Sequence, residues 1–251
     1  LAEQIQYFKV TQYFFFKQWT ELKNYANQKG IQIIGDMPIY VAADSVEVWT
    51  KPELFQLDEE RNPLFVAGVP ADQFSATGQL WGNPLYAWEE HKKQGYAWWI
   101  HRIEESFKIY DVLRIDHFKG FSDYWQVDGK AEVAKDGSWQ PGPGYDLFKA
   151  VKEQLGDLPI IAEDLGNIDD KARKLLADCN YPGMKILQFG FEDISGKSLD
   201  SPHYCIPHSI VYTGTHDNDV TNGWYNSLTE QQQQYINDYT HRREDESICQ
   251  A

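Results

Sequence analysis

The chain has 251 residues, 42% of them hydrophobic and 15% aromatic, with nine Trp and a formal net charge of −15. That length can bury one sizeable core, while the charge would repel nucleic-acid phosphates and anionic lipid surfaces, leaving a neutral partner as the better fit. The longest apolar clusters, at 13–16 and 97–100, fall far short of the roughly 20 residues that span a bilayer, so no membrane segment is expected. Three cysteines, Cys179, Cys205 and Cys249, are odd in number and lack C-x-x-C spacing, which suits a reducing cytoplasm and neither a disulfide framework nor a zinc site. The first residue is Leu1 and neither end carries a targeting pattern, so a piece of a longer polypeptide is expected.

Apolar residues recur at helical spacing over 8–28, and Gly30 closes that run as a helix C-terminal glycine would. Residues 31–41 follow, with Ile31, Ile33 and Ile34 ahead of Gly35-Asp36-Met37-Pro38, and read as a buried strand ending in a polar turn. The same grammar repeats. A helix at 96–107 precedes the strand Val112-Leu113-Arg114-Ile115-Asp116, and a helix at 145–155, stopped by Gly156, precedes a strand at 159–162 that ends in Glu163-Asp164. Residues 169–178 are read as helix, 184–191 as strand, 209–213 as a strand leading into Gly214-Thr215-His216-Asp217-Asn218-Asp219, and 229–243 as a last polar helix.

Helices alternating with short apolar strands imply right-handed βαβ crossovers and a mostly parallel sheet. Five such strands are read here, whereas a closed (β/α)₈ barrel needs eight, so three would lie outside this chain. An open doubly wound sheet could be complete with five, but acids gathered at strand ends favour the barrel. We therefore expect an α/β fold in which residues 1–251 form a partial catalytic (β/α)₈ barrel. It carries insertions at about 50–87 and 118–144, both placed after strand C-terminal ends where loops shape a substrate cleft. The aromatics of these insertions can be read either as sugar-stacking platforms or as packing residues.

Four of the five strand ends carry acids: Asp36, Asp116, Glu163-Asp164 and His216-Asp217. Cleaving a glycosidic bond with retention needs an ionised carboxylate nucleophile and a protonated carboxyl held about 5–5.5 Å away. Arg114 lies two residues before Asp116, on the same strand face, where its guanidinium would keep Asp116 ionised as nucleophile. Glu163 follows an entirely apolar run, 158–162, whose desolvation would raise its pKa toward that of a usable acid/base. Asp217 would be a third carboxylate, hydrogen-bonding sugar hydroxyls and holding the ring near its flattened shape, with His216 donating beside it.

Plainer readings stand beside these. Arg114 with Asp116 can be an ordinary salt bridge, Asp164 and Asp219 suit helix caps or loop contacts, and a regular strand would turn His117 away from Asp116 to pack behind it. Acids and His at 216–219 could ligate a divalent ion, but the remaining His residues make no metal-site spacing, and no Gly-rich phosphate loop or Gly-x-Ser-x-Gly elbow is present. No metal and no cofactor is expected.

The motifs Gly35-Asp36-Met37-Pro38-Ile39-Tyr40-Val41, Leu113-Arg114-Ile115-Asp116-His117-Phe118, Ile161-Ala162-Glu163-Asp164-Leu165-Gly166 and Thr215-His216-Asp217-Asn218 together resemble the 4-α-glucanotransferases of glycoside hydrolase family 77. Gln79-Leu80-Trp81-Gly82-Asn83-Pro84 and Gly142-Pro143-Gly144 extend the resemblance over essentially the whole chain. It implies a (β/α)₈ barrel of the α-amylase clan, with the first two strands and the last one outside this chain. It also implies transfer of α-1,4-glucan segments to a glucose or maltooligosaccharide acceptor by retaining double displacement. The family's nucleophile, acid/base and stabilising acid fall on Asp116, Glu163 and Asp217. Arg114 and His216 match the companions of those acids, Asp72 and Trp81 match residues lining the donor cleft, and Asp36 joins the substrate-binding set. Transfer in place of hydrolysis rests on the resemblance, since both use the same glycosyl-enzyme intermediate. An amylase-type α-glucan hydrolase is one alternative and a non-catalytic α-glucan-binding protein another. The expected partners are α-1,4-glucans and maltooligosaccharides, in the cytoplasm, or in a plastid for a plant or algal parent; oligomeric state is left open.

Overall fold

Val112, Leu113, Ile115, Ile160 and Ile161 are the branched and aliphatic residues that a strand buried on both faces selects, and with β1 they carry a central parallel sheet. A computed structural model describes residues 1–71, 75–166 and 168–250. The chain divides into two units, Leu1–Asn180 and Tyr181–Ala251. The first runs through α1 (Ala2–Gln28), β1 (Ile34–Met37), α2 (Val46–Thr50), β2 (Phe65–Val69), β3 (Gln79–Pro84), α3 (Trp88–Lys93) and α4 (Ala97–Ile109). It continues with β4 (Val112–Ile115), β5 (Asp123–Asp128), β6 (Ser138–Pro141), α5 (Tyr145–Leu155), β7 (Ile160–Ala162) and α6 (Asp170–Cys179). The second holds β8 (Gly183–Ile186), α7 (Leu187–Glu192), β9 (Ser209–Tyr212), α8 (Thr221–Ser227) and α9 (Glu230–Thr240).

In the first unit β4 lies between β1 and β7, all parallel. Helix α4 returns the chain from the insertion to β4 and packs on β1, β4 and α5, burying Trp99 and Ile103 one turn apart. Helix α5 buries Leu147, Phe148 and Val151 on one stripe, the i, i+4 pattern of a core-facing helix, and ends where Gly156 takes φ 78°, a conformation open to glycine. The sequence reading of this helix agrees at both ends.

The two insertions form a single structure. β2 and β3 from the first and β5 and β6 from the second pair as one antiparallel sheet in the order β3-β2-β5-β6, with Gly68 opposite Trp125 and Trp125 opposite Trp139. Val66, Trp125, Val127 and Ala134 are buried together there, and Trp125 Nε1 donates to Ala134 O at 2.7 Å. A second aromatic knot joins Tyr86, Trp88, His91, Trp98, Trp99 and Phe121 through ring contacts of 4.9–6.2 Å. Much of the aromatic content of this region is thus packing between rings.

Helix α1 confirms the helical spacing over 8–28 but buries none of its residues, and Tyr7, Phe8, Tyr13, Phe14, Phe15 and Phe16 are all exposed. Four consecutive aromatics point round the whole helix circumference, so one neighbour cannot cover them. Its second half is anchored, where Trp19 Nε1 donates to Ile109 O at 2.7 Å and Lys23 Nζ to Tyr110 O at 2.8 Å. Among the described residues no helix is long and apolar enough to cross a membrane.

One element departs from expectation. The stretch 184–191, read as a single strand, is β8 followed at once by α7. Short apolar runs do not separate strand from helix by periodicity alone. Here Leu187 and Phe191, four apart, join one cluster with Trp224, Tyr225 and Ile236, and Gly190 lies so close to the Asp200–Ser201 backbone that a Cβ would come within 2.6 Å.

Gly35 is tighter still: a Cβ there would lie 2.0 Å from the Tyr110 ring. Gly35→Ala should destabilise the full-length parent protein by about 1–3 kcal/mol through overpacking. Chemical denaturation reads this, and an unchanged midpoint would show that Tyr110 yields freely.

Candidate active site

The register of the parallel sheet decides which side chains meet. Asp36 lies opposite Arg114, and Ile115 opposite Ala162, so Asp116 and Glu163 leave β4 and β7 side by side. Main-chain bonds extend this pairing past the strand ends: Asp116 N–H donates to Met37 O and Glu163 N–H to Ile115 O, each at 3.0 Å. Because residues two apart on a strand share a face, Asp36, Arg114, Asp116 and Glu163 fall on one side of the sheet.

Arg114 is 8% exposed and joins the first two acids. Its Nη1 donates to Asp36 Oδ1 at 2.6 Å and to Asp116 Oδ1 at 3.0 Å. Burial opposes the guanidinium charge, but the carboxylates of Asp36, Asp116 and Glu163 favour it and hold its pKa above the usual arginine value. The salt-bridge reading and the site reading of Arg114 with Asp116 therefore describe the same contact.

Glu163 sits in the opposite electrostatic situation. Burial pushes its carboxyl up to about 7, against the pull of two main-chain donors and of Arg114, with Asp116 adding to the rise. Leu165 N–H donates to Oε1 and His117 N–H to Oε2, both at 2.7 Å. A carboxyl with that pKa holds and releases a proton near neutral pH, as a general acid that must later act as base requires.

Around this pair stand His117 and Trp81, named in the sequence reading, and Tyr40, Lys119 and Asp169, to which it gave no role at the site. His117, expected to turn away from the site, instead takes a left-handed conformation, φ 49° and ψ 50°, that ends the strand and sends its ring against Trp81 with centroids 4.9 Å apart. Trp81 also faces Tyr40, at 6.2 Å. Lys119 reaches Asp169 Oδ2 at 2.8 Å and lies 4.6 Å over the Trp139 ring. Asp169 caps α6 by accepting from Ala172 N–H at 2.9 Å; although burial pushes the other way, Lys119 and that cap hold its pKa at about 2. The loop that begins at Glu163 is thus pinned at its far end. The sequence reading placed Asp169 inside the helix at 169–178, whereas it stands one residue ahead of α6 as its cap. Asp72 lies outside the described residues.

In the second unit, β9 leads into a tight turn. Thr215 N–H and Oγ1 both donate to Asn218 Oδ1, at 2.8 and 3.0 Å, and Asp217 N–H donates to Thr215 Oγ1 at 3.3 Å. His216 Nε2 and Asp217 Oδ1 are 3.4 Å apart, with side chains 70% and 67% exposed. Gln188 braces the turn by donating to Asp219 O at 2.9 Å, and Asp219 Oδ1 accepts from Val220 N–H ahead of α8, the structural role expected of it.

Residues 1–251 match the family model described as 4-alpha-glucanotransferase, glycoside hydrolase family 77. The chain belongs to this family. It is 52% identical to a 4-alpha-glucanotransferase of Streptococcus pneumoniae, over 100% of this chain and 50% of that protein. With the chloroplastic/amyloplastic 4-alpha-glucanotransferase of Solanum tuberosum it shares 43% identity over 98% of this chain and 43% of the relative. Its structure matches amylomaltase from Streptococcus agalactiae in complex with acarbose, with a TM-score of 0.96, 61% identity and coverage of 99% of this chain and 50% of that one. Amylomaltase from Corynebacterium glutamicum, at 17% identity and a TM-score of 0.70, shares the fold over 93% of this chain and 32% of its own. The chain spans about half the length of the curated relatives it matches.

For this glucanotransferase-family chain, the raised pKa of Glu163 has a consequence for stability. The unfolded carboxyl titrates at about 4.3, so the folded state binds the proton more tightly, and the stability tied to that proton is present at low pH and lost as pH rises through about 7. Replacing Glu163 with Gln removes this titration. The melting temperature of Glu163→Gln minus that of the wild type should therefore move in favour of the variant between about pH 5 and about pH 9. A difference independent of pH would show that Glu163 titrates normally.

Proposed function

We propose that the parent protein is a retaining 4-α-glucanotransferase in which Asp116 is the nucleophile, Glu163 the acid/base and Asp217 the third, transition-state-binding acid. The observation that carries this reading is the pairing of Asp116, held by Arg114, with a partly buried Glu163 whose pKa is about 7, at the ends of neighbouring parallel strands. An ionised carboxylate beside a protonatable one is what retaining glycoside chemistry needs. Family membership supports it independently.

In the first step an Asp116 oxygen attacks the anomeric carbon as the glycosidic C–O bond breaks, and the Glu163 proton passes to the leaving oxygen. In the second, the Glu163 carboxylate takes the proton of an acceptor hydroxyl, whose oxygen forms the new glycosidic bond as the bond to Asp116 breaks. Two inversions restore the α configuration. Arg114 keeps the departing carboxylate ionised, Asp36 shares that guanidinium, and His216 and Asp217 bind sugar hydroxyls, as do Trp81 and Asp72 in the donor cleft. The substrates are α-1,4-glucans and maltooligosaccharides, and the compartment is the cytoplasm, or the plastid for a plant or algal parent.

The fold of the parent is a (β/α)₈ barrel of which residues 1–251 supply part, with insertions at about 50–87 and 118–144. Half-length coverage of the relatives, the uncovered aromatics of α1 and the half-exposed Ile34 on β1 support this.

Asp116→Asn in the full-length protein should abolish conversion of maltotriose into glucose and longer maltooligosaccharides while leaving maltotriose binding largely in place, as read by product separation and calorimetry. Full turnover in that variant would sink the assignment. Glu163→Gln should work mainly on donors with activated leaving groups, which need no proton. The kcat/KM profile of the wild type should fall on the alkaline side of about pH 7 as Glu163 loses its proton.

A further inference from the structure

We propose that Gln188 is a positioning residue: it clamps both ends of the 213–219 turn and so sets where that turn holds Asp217. The inference rests on the transition-state-binding role given to Asp217 above and adds what fixes that acid in place.

The turn is tied to itself. Thr215 N–H and Oγ1 both donate to Asn218 Oδ1, Asn218 N–H donates back to Thr215 O at 3.1 Å, and Asp217 N–H donates to Thr215 Oγ1 at 3.3 Å. Residues 215–218 therefore move as one piece, and His216 and Asp217, whose side chains are mostly exposed, ride on it. The place of such a piece is set by what holds its two ends.

Gln188 reaches both. It is the second residue after β8, which runs parallel to β9 with Ile186 opposite Tyr212, and its N–H donates to Thr213 O at 3.2 Å, carrying the pairing one step past the end of β9. Its side chain serves the other end, where Nε2 donates to Asp219 O at 2.9 Å. Between these anchors the amide lies against the main chain of the turn: a Cβ on Gly214 would stand 2.8 Å from Gln188 Nε2 and 3.3 Å from Asn218 Cβ, so a methyl there would have to displace the amide. Gln188 is 4% exposed, and a buried amide is tolerated where its donors are used. A carbonyl oxygen can only accept, so the contact with Asp219 needs a donor at the tip of residue 188.

The test uses the full-length protein with Gln188→Leu and Gln188→Glu. Leu fills the space but donates nothing. Gln188→Leu should lower kcat for maltotriose about tenfold with KM within about threefold, because an acid that acts on the flattened ring is misplaced while ordinary binding is kept. Glu at this position can donate to Asp219 O only while its buried carboxyl holds a proton, and once ionised it repels that oxygen. The kcat of Gln188→Glu relative to wild type should therefore be highest at low pH and fall as pH rises, whereas the ratio for Gln188→Leu stays level. Glu163, His216, Asp217 and Asp219 are present in all three proteins, so the Gln188→Leu ratio serves as the control for their titration. A residue needed only for folding gives no such pH-dependent rescue. Hydrogen exchange of the 213–219 segment, read by mass spectrometry without turnover, should be about tenfold faster in Gln188→Leu, with 183–186 unchanged. Where Gln188→Leu does not fold, Gly214→Ala presses on the same amide and should speed exchange in the same segment. A wild type that leaves maltotriose unchanged would sink the glucanotransferase reading, and exchange would still decide whether Gln188 holds the turn. Equal exchange in wild type, Gln188→Leu and Gly214→Ala, or a level ratio for Gln188→Glu, would overturn the inference.

Discussion

The site in the first unit depends on one buried cation. Arg114 sits on the middle strand of a three-stranded parallel sheet, and a single nitrogen of its guanidinium reaches acids on its own strand and on the next. Breaking a buried ion pair by removing one partner leaves uncompensated charge, so these three residues constrain one another. The pairing of Asp36 with Arg114 fixes the register of β1 on β4, and a slip by one residue would turn Asp36 to the other face. Register and electrostatics are therefore a single constraint, and the charge distribution at the strand ends follows from it.

The two carboxyls beside that cation stand in different surroundings. Asp116 touches the guanidinium directly. Glu163, one strand further on, receives only main-chain N–H groups, and burial outweighs them. Neighbouring acids with opposed environments are a general route to an acid/base assignment. In this chain the difference in surroundings follows strand order, with Arg114 on β4 and Asp116 at its end, and Glu163 at the end of β7 after three apolar residues.

Much of this was legible from the residues. Alternating helical and strand periods located α4, α5 and α6 to within a residue or two, and the polar ends of apolar strands marked Asp36, Asp116, Glu163 and Asp217. Arg114 two positions before Asp116 was enough to anticipate the ion pair. What could not be read falls into three kinds. Glu163 accepts one of its two main-chain donors from His117, and the left-handed turn at that residue carries only a weak sequence signal, since left-handed histidines are enriched but still uncommon. The antiparallel sheet joins 65–84 to 123–141 through pairings between separate insertions, and short strands of mixed polarity, two of them interrupted by glycine, carry no mark of their partner. The strand read at 184–191 failed for a third reason, since the choice of helix was made by tertiary contacts of Leu187 and Phe191.

That antiparallel sheet changes how the aromatic loops should be understood. Trp81 does not hang from a loose loop: β3 pairs with β2, β2 with β5, and β5 follows directly on the turn that begins at His117. The indole is tied through the ladder to the same segment whose amide holds Glu163, and its ring closes on the imidazole between them. Ring contacts also lock Tyr40, the residue following Pro38-Ile39 at the end of β1, to Trp81 and Tyr86, while Tyr86 Oη donates to Ile39 O at 2.7 Å and Arg102 to Pro38 O at 2.7 Å. The segments following β1 and β4 are thus cross-braced by residues from an insertion far away in sequence. Rotating Trp81 would therefore disturb the His117 ring packed against it and the Tyr40 ring beside it. A part of the chain that looks like cleft decoration is in this respect structural support for the ends of β1 and β4.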